Sequence, residues 1–109
     1  MYHVAICDDD MLVRMLIRTA VERSGAECLI SEFADGADLI DGYKGYDVLF
    51  LDIDMPETDG LEAAAVIRRT DRAVRIIYVT GGADGSIWLC CPAQELYREP
   101  LPCKVNQRI

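Results

Sequence analysis

Apolar residues in this chain fall into short uninterrupted runs separated by longer amphipathic stretches. Residues 2–7 and 47–51 form such runs, residues 74–80 contain Ile76-Ile77-Tyr78-Val79, and residues 27–33 alternate loosely between apolar and polar. Continuous apolar runs are typical of strands in a parallel sheet whose two faces are both covered. We therefore predict four strands at these positions.

The stretches between the predicted strands have helical spacing. In residues 11–23 the apolar side chains recur at three- and four-residue intervals, and Gly25 is placed to end the helix. Residues 35–43 predict a short helix and residues 61–69 an Ala-rich one. Strands alternating with helices predict an α/β fold with a doubly wound parallel sheet and right-handed crossovers.

Polar residues follow three of the predicted strands. Asp8 and Asp9 come after the first strand, Asp52 after the third, and Thr80 ends the fourth. Doubly wound sheets bind ligands at the carboxyl ends of their strands, so we expect these residues to converge there. Two carboxylates 4 Å apart repel by roughly 4 kcal/mol at an effective dielectric of 20, which implies a neutralising cation. Hard oxygen ligands favour Mg²⁺.

Length and charge narrow the class of protein further. The chain has 109 residues and a formal net charge of -8, which predicts one domain over residues 1–109 and no direct binding to nucleic acid. No apolar stretch reaches the roughly 18 residues that span a bilayer, and the N-terminus has no signal-peptide pattern. We expect no membrane association and a cytoplasmic location.

Five cysteines, at positions 7, 28, 90, 91 and 103, show no C-x-x-C spacing. We predict reduced thiols, with Cys7 and Cys28 acting as small core residues.

Four motifs within residues 1–82 occur together in order and spacing. They are Ile6-Cys7-Asp8-Asp9-Asp10, Phe50-Leu51-Asp52-Ile53-Asp54-Met55-Pro56, Asp59-Gly60 and Tyr78-Val79-Thr80-Gly81. Together they resemble the receiver domain of two-component response regulators, which has a flavodoxin-like fold. The Asp-Ile-Asp-Met-Pro version is most similar to the receivers of regulators with a LytTR-type DNA-binding output.

The resemblance implies a phosphoacceptor that catalyses only its own phosphorylation and dephosphorylation, and is otherwise not an enzyme. Asp52 would accept a phosphoryl group from the phosphohistidine of a sensor histidine kinase. Mg²⁺ would be held by Asp52, by Asp9 directly, by Asp8 through water, and by the backbone carbonyl of Asp54. Thr80 would hydrogen-bond the phosphoryl group. Asp10 and the pair Asp59-Gly60 are interpreted as helix-cap and turn residues instead.

Residues 83–109 match the family poorly. A receiver places a lysine after its fifth strand, and Lys104 is the candidate, although it lies further from Thr80 than usual. Pro92 falls where a fourth helix is expected and would break it. We expect an atypical, truncated or frameshifted C-terminal part and no output domain in this chain.

An incomplete C-terminal part would leave one apolar face of the sheet uncovered. We therefore expect a homodimer or a domain-swapped dimer, with Ile87, Trp88 and Leu89 packed across the interface.

Two other functions fit parts of the pattern. Asp52 and Asp54 after an apolar strand also suit the nucleophile and general acid of a haloacid-dehalogenase-like phosphatase. The unusual tail would suit a degenerate receiver that serves only as an interaction module.

Overall fold

The computed structural model describes residues 1–81, 86–90 and 106–108. The elements in chain order are β1 (Tyr2–Cys7), α1 (Met11–Arg23), β2 (Cys28–Phe33), α2 (Gly36–Asp41), β3 (Val48–Asp52), α3 (Gly60–Arg68), β4 (Arg75–Gly81), β5 (Ile87–Cys90) and β6 (Asn106–Arg108). β1 and α1 have the predicted bounds, and the other five predicted elements are displaced by one or two residues. None of the helices in these ranges is long and apolar enough to cross a bilayer.

The strands form one sheet in the order β2-β1-β3-β4-β5-β6. β2, β1, β3 and β4 are parallel, which confirms the predicted doubly wound α/β fold. In the register of the sheet, Cys7 lies opposite Leu51, and Asp52 lies opposite Val79. The carboxyl ends of β1, β3 and β4 are therefore nearly level at one edge of the sheet.

β5 and β6 depart from the parallel pattern. β5 is antiparallel to β4, with Gly81 opposite Ile87, and β6 is antiparallel to β5. A parallel neighbour requires a crossover of a dozen or more residues, whereas the short connection from β4 to β5 permits only a hairpin. The antiparallel β5 and β6 agree with an atypical C-terminal part, and β5 ends with Cys90 opposite Tyr78, level with Leu51 of β3. Pro92 lies outside the described residues.

The core consists of two apolar clusters, one on each face of the sheet. On one face, α2 and α3 pack against the sheet through Leu39, Ala63 and Ile67. On the other face, Ile17 of α1 packs with Val4, Ile6, Val79 and Ile87. Ile87 is only 9% exposed in this cluster, so the expectation that it packs across an interface is wrong for this residue.

A groove of about 420 Å³ remains open between α1 and the sheet. Its walls include Ile17 and Val21 from α1 and the sheet residues Phe50, Ile77 and Leu89. Among the described residues, this groove is an apolar surface beside α1.

The cysteine prediction holds in part. Cys7 and Cys28 are free thiols, whereas Cys90 is disulfide-bonded, which contradicts the prediction for that residue. Burial, reinforced by the charge of Asp8, raises the pKa of Cys7 to about 12. Cys7 is therefore an unreactive core thiol, whose Sγ lies 3.3 Å from the carbonyl oxygen of Asp35.

Candidate functional site

Three carboxylates meet at the carboxyl edge of the sheet. One oxygen each from Asp8, Asp9 and Asp52 lie within 4.8 Å of one another. β1 and β3 are adjacent and parallel, so Asp8, which follows β1, and Asp52, which ends β3, reach the same place. Asp8 is 3% and Asp52 8% exposed, whereas Asp9 is open to solvent. The cluster therefore has a buried base and one accessible side.

The turn after β1 is shaped by its own aspartates. The Asp10 amide donates to Asp8 Oδ1 at 2.9 Å, and the Leu12 amide donates to Asp10 Oδ1 at 2.9 Å. The second bond makes Asp10 the N-cap of α1, as predicted. The amide of Asp8 donates to the carbonyl of Phe33 at 3.1 Å, which continues the pairing with β2. Asp8 and Asp9 are thus presented by a turn that is tied at both ends.

The turn after β3 is tied in a similar way. The Asp54 amide donates to Asp52 Oδ1 at 3.0 Å, and the Ile53 amide donates to the Val79 carbonyl at 3.1 Å. Asp59 caps α3 by accepting from the Glu62 amide at 2.8 Å, which confirms its predicted role. These bonds fix the direction of the Asp52 carboxylate relative to β4.

Gly60 is required by close packing against Asp52. A Cβ at this position would lie 2.2 Å from the carbonyl oxygen of Asp52, a distance that real contacts do not reach. The Gly60 amide also donates to the carbonyl of Ile53 at 3.1 Å. α3 can therefore begin directly beneath the acidic turn only because residue 60 lacks a side chain.

Burial and mutual repulsion make the charged state of the cluster unfavourable. Burial is the main cause that raises the pKa of Asp8 to about 7, and the charges of Asp52 and Asp9 add to it, while the Asp10 amide opposes it. Burial likewise raises the pKa of Asp52, against the lowering effect of the Asp54 amide. The buried carboxylates of Asp8 and Asp52, together with the exposed carboxylate of Asp9, form a set of hard oxygen donors that fits a small divalent cation such as Mg²⁺.

Three further residues were predicted to belong to the site: Asp54, Thr80 and Lys104. The side chain of Asp54 is exposed, and its described contact with the site is through its amide. Thr80 is half-buried and follows Val79, the residue that pairs with Asp52 across the sheet. Lys104 lies outside the described residues.

Arg14 is a neighbour of the site that the sequence analysis missed. Its Nη1 donates to the carbonyl oxygen of Asp8 at 2.6 Å, and its Nε lies 3.1 Å from Glu32 Oε1. The position of Arg14 one helical turn after Asp10 is a sequence signal, but its partner Glu32 is on β2, far away in the chain. The sequence alone does not indicate that contact.

Comparison with known proteins identifies the family. Residues 4–89 match the family model described as the response regulator receiver domain, which covers more than half of the chain. The chain belongs to this family. The receiver prediction is therefore confirmed, and it is favoured over the prediction of a haloacid-dehalogenase-like phosphatase.

Several relatives of this receiver domain are known. It is 35% identical over 78 residues to the chemotaxis protein CheY of Bacillus subtilis, a match that covers 70% of this chain and 64% of CheY. The chain thus spans slightly less than two thirds of that relative. The solved structure of the response regulator TrrA from Thermotoga maritima, in complex with Mg²⁺ and BeF, has a TM-score of 0.68 and 28% identity, over 77% of this chain and 73% of TrrA. A chain of the CheX–CheY–BeF₃–Mg²⁺ complex from Borrelia burgdorferi has a TM-score of 0.64 and 27% identity, over 71% and 60% of the two chains.

Proposed function

We propose that this receiver domain accepts a phosphoryl group on Asp52 and passes the signal on through a change at its surface. The observation that carries the proposal is the convergence of three carboxylates at the ends of β1 and β3, with their oxygens within 4.8 Å. Folding alone gives no reason to collect charges that repel one another. A site for a cation and an incoming phosphoryl group does give one.

The phosphoryl donor in this proposal is the phosphohistidine of a sensor histidine kinase. An oxygen of the Asp52 carboxylate attacks phosphorus, the bond from phosphorus to the imidazole nitrogen breaks, and that nitrogen keeps the electron pair and takes up a proton. The Asp54 amide bonded to Asp52 Oδ1 holds the carboxylate in one orientation for this attack. The buried side of the cluster excludes water from beneath the nucleophile.

The proposed Mg²⁺ site consists of Asp9, Asp8, Asp52 and the backbone carbonyl of Asp54. When bound, the ion supplies positive charge that offsets the phosphoryl oxygens and the carboxylates. The similar TrrA structure contains Mg²⁺ and BeF, which supports this assignment for a related fold. The exposed carboxylate of Asp9 provides the accessible side of the proposed site.

Thr80 and Lys104 are the proposed partners of the transferred phosphoryl group. Thr80 is next to Val79, whose carbonyl accepts from the Ile53 amide in the Asp52 turn. A hydrogen bond from the Thr80 hydroxyl to the phosphoryl group would couple Asp52 to the end of β4. Replacing Lys104 with Ala tests its part: a large loss of phosphorylation shows that it reaches the site, and an unchanged rate supports a weak switch or a degenerate receiver.

Stoichiometry distinguishes this proposal from a phosphatase. With a small phosphodonor and Mg²⁺, we expect labelling of up to one phosphoryl group per chain, and no sustained turnover of a chromogenic phosphomonoester. Asp52→Asn should abolish labelling, and the matched exposed variant Asp54→Asn should retain it. Steady release of product by the wild type, lost in Asp54→Asn, would support the haloacid-dehalogenase-like alternative instead.

The extent of the domain, its cellular location and the type of its output are also proposals. We expect residues 1–109 to behave as one domain in limited proteolysis and to fractionate with cytoplasmic proteins. The resemblance to LytTR-type receivers rests on the residues around Asp52, and the genomic neighbourhood of a kinase and a LytTR output would support it.

We also propose that the chain forms a homodimer or a domain-swapped dimer. The open groove beside α1, lined by Phe50, Ile77 and Leu89, is the observation that supports it. Light scattering at high micromolar concentration should give twice the monomer mass, and Ile77→Thr should weaken association more than Leu29→Thr, an exposed position that does not line the groove. A stable wild-type monomer would contradict the dimer.

A further inference from the structure

Arg14 connects the acidic turn to the rest of the fold. Its guanidinium donates through Nη1 to the carbonyl oxygen of Asp8 at 2.6 Å, a short charge-assisted bond. Asp8 lies just beyond β1, so this carbonyl is at the point where the strand becomes the turn that carries Asp9. Whatever fixes this carbonyl also fixes the peptide plane between Asp8 and Asp9.

Arg14 is itself held in place. One carboxylate oxygen of Glu32, on β2, lies 3.1 Å from Arg14 Nε. The other oxygen lies 2.8 Å from Arg18 Nη1. The Arg14 side chain is 15% exposed and that of Glu32 is 32% exposed. Solvent screens such a network less than an isolated surface ion pair, so it restrains the guanidinium more firmly.

We propose that Arg14 is a positioning residue for the Mg²⁺ site, and that Glu32 holds Arg14 in the orientation that this role requires. The inference rests on the proposed function, since it assumes that Asp8 and Asp9 hold the ion. In the described part of the chain, Arg14 bonds the backbone of Asp8 and the side chain of Glu32, and it bonds none of the three clustered carboxylates. It acts on the site by fixing the direction from which Asp8 and Asp9 present their oxygens.

Removal of Arg14 should have opposite effects on Mg²⁺ affinity if Arg14 acts only through its charge and if it acts by positioning the ligands. A nearby positive charge repels Mg²⁺, so its removal should tighten binding if charge alone mattered. Loss of a group that orients metal ligands typically weakens metal affinity by about 10–100-fold. The sign of the change in affinity therefore distinguishes the two roles.

Calorimetric titration with MgCl₂ alone tests the proposal on the whole chain. Arg14→Lys keeps the charge but cannot reproduce the two-sided guanidinium contact, so it should weaken Mg²⁺ binding by at least about tenfold. Arg14→Gln should also weaken it, by a smaller factor because the repulsion is removed. Glu32→Gln should shift the affinity in the same direction. Arg23→Gln, which removes the same charge at the far end of α1, should change the affinity less than about twofold.

Unfolding in EDTA separates positioning from a purely structural role. Unchanged or tighter Mg²⁺ binding in both Arg14 variants would overturn the proposal, even if the variants unfold at lower temperature. If Arg14→Gln does not fold, Arg14→Lys decides the outcome, because it keeps the charge and changes only the contact. A wild type that binds Mg²⁺ but accepts no phosphoryl group would overturn the proposed function. The Mg²⁺ affinities of the Arg14 variants would still decide whether Arg14 positions the ion site. A wild type that binds no Mg²⁺ would overturn both.

Discussion

Replacing Asp8 with Asn should stabilise the metal-free protein, although it alters a residue of the proposed site. The pKa of the Asp8 carboxyl is raised from 3.8 to about 7, chiefly by burial and then by the charges of Asp52 and Asp9. A rise of about three units corresponds to about 4 kcal/mol of unfavourable free energy for the ionised form above pH 7. Asn keeps an Oδ1 acceptor for the Asp10 amide while removing the charge.

We expect Asp8→Asn to raise the free energy of unfolding by about 2–4 kcal/mol at pH 8 in EDTA, or the melting temperature by roughly 10 °C. The folded protein binds the Asp8 proton more tightly than the unfolded chain does. The wild type should therefore lose stability as the pH rises from about 4 to about 7 and then level off. The advantage of the variant should grow over the same range of pH.

Denaturant unfolding at pH 5 and pH 8, with and without Mg²⁺, measures these effects. Asp10→Asn is the matched control, because Asn also caps helices and residue 10 is not one of the three clustered carboxylates. Its effect should stay within about 0.5 kcal/mol. Mg²⁺ at a hundred times its dissociation constant should add about 2.7 kcal/mol to the wild type and much less to Asp8→Asn. Lower stability of Asp8→Asn than of wild type at pH 8 in EDTA would refute the reasoning.

Three further predictions concern the scaffold and the cluster. Gly60→Ala should destabilise the protein by more than about 2 kcal/mol, because its Cβ would collide with the Asp52 carbonyl. The control Gly81→Ala, with open space around the new Cβ, should be nearly neutral. Equal effects of the two substitutions in thermal unfolding would contradict this prediction. Tyr43→Phe should cost about 1–3 kcal/mol in denaturant unfolding at pH 7, because it removes the 2.5 Å hydrogen bond from the Tyr43 hydroxyl to Asp71, and an unchanged midpoint would count against it. Asp52→Asn should raise the melting temperature in EDTA and abolish stabilisation by Mg²⁺, and a lower melting temperature would argue against repulsion in the cluster.

The parallel part of the fold and the acidic cluster could be predicted from local patterns. Apolar runs identified the parallel strands, and a parallel sheet necessarily places Asp8 and Asp52 at the same edge once β1 and β3 are neighbours. The cap at Asp10 was equally local, because its side chain bonds an amide two residues ahead. These features depend on residues close together in the sequence or on a general rule of sheet geometry.

Features that depend on distant partners were not predictable in the same way. The contact of Arg14 with Glu32 joins a helix to an edge strand, and neither residue alone indicates the other. The direction of β5 depends on a short connection whose sequence did not indicate a hairpin. Ile87 was therefore expected at an interface, whereas it is buried in the core. The raised pKa of Asp8 likewise follows from burial, which exists only in the folded protein.

The central claim, that Asp52 accepts the phosphoryl group, is tested most directly by locating that group in the chain. After incubation with a small phosphodonor and Mg²⁺, reduction of the acyl phosphate with borohydride and peptide mapping should mark residue 52. The mark should be absent without Mg²⁺ and in Asp52→Asn, and present in Asp54→Asn. A modified residue other than Asp52, or full labelling of Asp52→Asn, would contradict the account.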